Sequence, residues 1–101
     1  MIFLQNFTDL MEISRYLGDK LAEQMSISPP VARGLIKLSI KDELGPFKAL
    51  DTINYNDYIT VLNNSFKKRL IKLEVSNFED IVDYLLEKLE LNQSLITIAG
   101  V

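Results

Sequence analysis

The sequence predicts an all-α fold: a single compact domain over residues 1–101, built as a bundle of four main helices around a buried central one. Three observations carry this expectation. Apolar residues recur at three- and four-residue intervals over four separate stretches. Between them lie short runs of Ser, Asn, Gly and Pro, the residues that start and stop helices. The composition, 48% hydrophobic and 25% charged with 4 Gly and 3 Pro in 101 residues, is that of a globular chain able to bury a core without covalent cross-links.

The central helix is the stretch 28–44, SPPVARGLIKLSIKDEL. At about 100° per residue, Val31, Ala32, Leu35, Ile36, Leu38 and Ile40 cover more than half its circumference, which predicts burial on two sides. Arg33, Lys37 and Lys41, spaced i, i+4, i+8, form the one basic edge expected to emerge from the 29–44 helix. Ser28 is placed to cap it, Pro29 and Pro30 fall where a missing N–H costs nothing, and Gly45-Pro46 ends it.

The other helices come from the same spacing. Phe7, Leu10, Ile13, Leu17, Leu21 and Met25 predict a first helix over 7–25, with Asn6, Thr8 or Asp9 as its cap. Gly18 inside it either admits a close neighbour or marks a kink, at a helix-propensity cost of about 1 kcal/mol. Residues 45–56 are the least regular part, and Asn54 or Asn56 is placed to cap the third helix. Tyr58, Ile59, Leu62, Phe66, Leu70 and Leu73 predict that helix over about 57–74. Ser76 with Glu79 has the capping-box pattern for a fourth, whose apolar face is Phe78, Ile81, Val82, Leu85, Leu86 and Leu89. Its opposite face is acidic: Glu79, Asp80, Asp83, Glu87 and Glu90. An alternative is an α+β fold, since residues 71–75 alternate and 69–75 could pair as a short strand with 94–99.

Several function classes are disfavoured. The chain has no Cys and no His, which removes disulfides, thiolate chemistry, His-based general bases and most transition-metal sites. No Gly-rich phosphate loop or calcium-binding loop is present, and no base accompanies Ser26, Ser28, Ser39 or Ser65. The expectation is therefore a non-enzyme without cofactor or metal. The opening MIFLQNF lacks the features of a signal peptide, and no run reaches the roughly 18 apolar residues of a membrane span, so a cytoplasmic protein is expected. Asn-x-Ser/Thr triplets at Asn6, Asn63 and Asn92 are then chance matches.

The run LAEQMSISPPVAR, residues 21–33, resembles the LAEKLGIS–turn–V-R pattern of bacterial and archaeal helix-turn-helix DNA-binding domains. The resemblance implies Leu21 and Ala22 in a first helix, Ile27-Ser28 at the turn and Val31 buried in a recognition helix carrying Arg33, Lys37 and Lys41. It departs in two places: Ser26 replaces the turn Gly, and Val31 arrives one residue early, a rotation of about 100°. Two core helices joined by a capped turn explain the same run. A second basic cluster, Lys67, Lys68, Arg69 and Lys72, could meet nucleic acid or an acidic partner, or complement the acidic face of the fourth helix within one molecule.

The remaining signal is surplus apolar surface. A small bundle leaves Tyr55, Tyr58, Val61, Ile71, Tyr84 and the tail residues Leu95, Ile96, Ile98 and Val101 without obvious burial. Such a surface predicts protein–protein contact, including self-association into a homo-oligomer through the C-terminal segment. A small DNA-binding regulator using the basic edge of the 29–44 helix is the alternative. The sequence predicts no partner by name.

Overall fold

The computed structural model describes residues 13–99, with side chains described as far as Gln93. They form four helices and, among the described residues, no strand. Helix α1 is Ile13–Met25, α2 is Pro29–Leu44, and α4 is Phe78–Ala99. Helix α3 runs without a break through Tyr55–Val61, a π-helical turn Leu62–Phe66, and Lys67–Lys72. A short 3-10 turn, Leu50–Thr52, lies in the α2–α3 connection. The expected start of the first helix and its cap fall outside the described residues.

The helices close a ring in chain order. Helix α1 packs on α2 and α4, and α3 packs on the same two, so α2 and α4 occupy opposite corners. Leu17 and Leu21 of α1, Ala32, Ile36 and Ile40 of α2, and Ile81, Leu85 and Leu89 of α4 meet in the centre. From α3 come Tyr58, Leu62, Phe66 and Leu70, all nearly devoid of solvent contact.

Those four explain the π turn. They recur every four residues, and in a regular α-helix each such step drifts about 40°, so Leu70 would point about 120° away from Tyr58. One extra residue in a turn takes back about 100°, which is what a π-bulge does. The π turn falls between Leu62 and Phe66 and keeps the stripe on the core. The residues it carries at its outer side, Asn63 and Asn64, are poor helix formers that need no packing there.

Two helices end on a left-handed residue that is not glycine. Ser26 has φ 55° and Glu74 has φ 60°. At each, the next N–H reaches back to close the helix: Ile27 N–H to the Ala22 carbonyl at 3.1 Å and Val75 N–H to the Leu70 carbonyl at 3.1 Å. Helix α2 ends as expected on Gly45, φ 93°, whose N–H bonds the Lys41 carbonyl at 2.9 Å. Ser28 precedes α2, but its hydroxyl makes no capping bond; the prolines at the first two helical positions leave fewer N–H groups for it to serve. Asn54 caps α3 in a full reciprocal box with Asp57. Helix α4 starts at Phe78, one residue later than a Ser76 cap would place it.

The strands considered for 69–75 and 94–99 do not form. Residues 69–72 are the last turn of α3, 73 and 74 are its closing turn, and 94–99 continue α4. The alternation of 71–75 is produced by a helix end, where Ile71 and Leu73 are exposed and Val75 folds back on the core.

Helix α2 is covered on two sides, by α1 and α3, but its apolar stripe is wider than the surface they cover. Ala32, Ile36, Ser39 and Ile40 face the core, Leu35 is half-buried, and Val31 and Leu38 are 61% and 45% exposed. A ring of four helices covers each helix from two adjacent neighbours, and an apolar stripe wider than that remains outside. Ser39, buried, satisfies its hydroxyl on the Leu35 carbonyl at 2.8 Å. Asn92 sits on the buried stripe of α4 at 1% exposure, and its Oδ1 has no hydrogen-bond partner among the described residues.

Candidate functional site

Helical phase decides what α2 presents. With Ala32, Ile36 and Ile40 turned inward, residues 31, 35 and 38 fall along its outer side at i, i+4, i+7. Val31 and Leu38 are in solvent, and Leu35 sits at the boundary with the core. Beside this strip, Lys37 and Lys41 are exposed and form no ion pair among the described residues. Beyond the helix end, Phe47 is 97% exposed and Leu50 is exposed on the short 3-10 turn. Ile71 and Leu73 at the end of α3, and Leu91 on α4, complete the exposed large apolar side chains among the described residues.

The basic residues divide into paired and unpaired groups. Arg33 belongs to the first: its guanidinium bonds Asp19 Oδ1 from Nε at 2.8 Å and from Nη2 at 2.8 Å, tying α2 to α1. Arg69 belongs there too, its Nε donating to Asp42 Oδ2 at 2.6 Å across α2 and α3. One turn away, Ser65 donates to Glu43 Oε1 at 2.6 Å. The hydrogen bond from Arg69 lowers the pKa of the Asp42 carboxyl; desolvation opposes it, and the charges of Arg69, Lys72 and Lys41 add to the lowering. The two basic clusters that the sequence shows separately thus meet around Asp42. Lys67 lies over the Phe78 ring, 5.8 Å from its centre. No described lysine among Lys67, Lys68 and Lys72 forms an ion pair with the acidic face of α4.

Set against known protein families, curated proteins and solved structures, the chain matches none.

The surface therefore has to be read from its own chemistry. Tyr58, expected in the surplus apolar surface, is in the core with its hydroxyl bonded by Ser14; burial pushes its pKa up to about 12, and the bonds from Ser14 work in the opposite direction. Val61 is in the core as well, and Tyr55 packs partly against it. Tyr84 is half-buried under the Lys88 ammonium, 5.3 Å from its ring centre. Leu95, Ile96 and Ile98 lie on the last turns of α4; their side chains, and Val101, fall outside the described residues. The role that the helix-turn-helix resemblance implies for Val31 is overturned by its exposure, although Ser26 does adopt the left-handed conformation of a turn Gly. The apolar residues of the α2 outer face are visible in the sequence, but their spacing alone assigns them to the core.

Elsewhere, a polar groove of about 300 Å³ lies between the π turn and the start of α4, lined by Asn63, Lys67, Glu79, Asp80, Val82 and Asp83. Among the described residues no group of three Asp or Glu is arranged to hold a metal ion. No described helix is long and apolar enough to cross a membrane.

Proposed function

We propose that the protein is a non-catalytic protein–protein interaction module that associates with itself or with another protein through the apolar outer face of α2. The observation that carries this is the exposure of Val31 and Leu38 beside Leu35 on one side of the central helix. Contiguous apolar residues left in water on a small domain mark contact surfaces. The C-terminal residues Leu95, Ile96, Ile98 and Val101 belong to this reading on their apolar composition alone. DNA binding by the same helix is less well supported: Arg33 is held by Asp19, Arg69 by Asp42, and the chain carries a net charge of −3. We place the module in the cytoplasm on the Cys-free composition of the chain.

The test is a photo-cross-linking amino acid at Leu38, combined with sedimentation of the wild type and of Val31→Asp with Leu38→Asp. The expected outcome is a protein adduct from Leu38 in the native cell, and loss of association in the double variant at unchanged helix content. Association through apolar contact should persist at high salt. Recovery of nucleic acid instead, with oligonucleotide binding that falls steeply as salt rises, would move the assignment to a DNA-binding regulator.

A further inference from the structure

Resting on that reading of α2 as a docking surface, we infer that its occupant is the outer face of α4 from a second copy of this chain. The fold leaves charges on both helices unanswered. Lys37 and Lys41, one helical turn apart, flank the exposed apolar strip of α2. On the outer side of α4, Asp83 and Glu87 are also one turn apart, exposed, and without an ion pair among the described residues. Leu91 comes one turn later on the same side, and it too is exposed.

Within one molecule these two surfaces stay apart, because α2 and α4 stand at opposite corners of the ring with α1 and α3 between them. Between two molecules they are complementary. Laid antiparallel, Lys41 meets Asp83, Lys37 meets Glu87, and Val31 with Leu35 meets Leu91. The charges are then matched in sign along one end of the contact and the other end is apolar. Opposite corners also fix the symmetry. Each copy offers one face at each corner, so the contact joins unlike surfaces and runs head to tail. Mass should therefore rise with concentration past a dimer.

Two charge reversals test the pairing. Lys37→Glu with Lys41→Glu gives a variant with acid on both faces, and Asp83→Lys with Glu87→Lys gives one with base on both. All four positions are exposed and unpaired among the described residues, and circular dichroism checks that each variant keeps its fold. By sedimentation velocity the wild type should associate with rising concentration, and each variant alone should associate at least about tenfold more weakly. An equimolar mixture of the two variants should recover association, since each then supplies the charge the other lacks. A wild type that stays monomeric, variants that associate like the wild type, or a mixture that fails to recover would each overturn the pairing. The docking reading fails separately: an adduct from Leu38 to a different protein keeps α2 as the docking face and removes the second copy, whereas no protein adduct removes both.

Discussion

Arg33 crosses Gly18 so closely that a Cβ on the glycine would stand 2.8 Å from the arginine Cα and 2.6 Å from its Cγ. No ordinary Cβ contact is that short, and the nearer obstruction cannot simply swing aside, because the arginine backbone lies directly behind it. The absence of a side chain at position 18 is what lets α1 and α2 touch at backbone distance. Asp19, next in the chain, fixes the guanidinium of the same arginine.

Gly18→Ala therefore has opposing effects whose balance gives the sign. Helix propensity favours alanine by about 1 kcal/mol. Forcing α1 and α2 apart costs about 2–3 kcal/mol, in the range for overpacked cores. The expected outcome is a net loss of about 1–2 kcal/mol in chemical denaturation, without loss of helix content in the folded state. A gain of about 1 kcal/mol would show that the helices have room to separate. The same contact distinguishes Arg33 from its neighbours on the basic edge: reversing Arg33 would set a carboxylate against Asp19, whereas Lys37 and Lys41 stand exposed in solvent.

Most of the architecture was legible in the sequence because it depends on spacing. The Gly45-Pro46 stop, the choice of Asn54 or Asn56 as a cap and the apolar stripes are local patterns, and among the described residues the helices formed within a few residues of where those patterns placed them. Helix ends without glycine are harder to read. Ser26 and Glu74 occupy left-handed positions that an L residue enters at a cost, so nothing in their identity announces a stop. The candidate surface escapes a sequence reading for a different reason. Periodicity shows that Val31, Leu35 and Leu38 share a side of α2, but which apolar sides find a neighbour depends on how four helices close into a ring. Tyr58 has the spacing of the third helix's apolar face and also counts among the surplus apolar residues, and only the packed structure decides between the two, in favour of the core.

Asn92 occupies a core position on α4 with its Oδ1 unbonded among the described residues. Leaving a buried acceptor without a donor costs about 1–3 kcal/mol, and an apolar side chain of similar volume has no such cost. Asn92→Leu is expected to raise stability by about 1 kcal/mol, read as a higher denaturation midpoint at constant slope. Asn92→Asp should do the opposite, since it places an unpaired charge in the same site. A destabilised leucine variant would mean that the asparagine contributes through its amide nitrogen more than its oxygen costs. The same burial keeps the Asn92 triplet out of reach as a glycosylation acceptor in the folded chain.

Tyr58 makes stability depend on alkaline pH. Its phenol is buried and has a pKa of about 12 in the folded protein, against 10.0 for the free group. As pH rises the unfolded chain releases this proton first, so between those values the unfolded state binds fewer protons than the folded one. Stability from the buried neutral phenol is then complete below pH 10 and is lost as pH climbs toward 12. The loss should be on the order of 2 kcal/mol, because the gap between the folded and unfolded pKa sets its ceiling. Tyr58→Phe should remove this alkaline component, at a cost near neutral pH of about 1 kcal/mol for the hydrogen bond with Ser14. The measurement is the difference in unfolding free energy between wild type and variant across that range, which cancels the common contributions of the other tyrosines and the lysines. If the two proteins lose stability in parallel from pH 10 upward, the Tyr58 hydroxyl is reaching water in the folded state and is not held in the core.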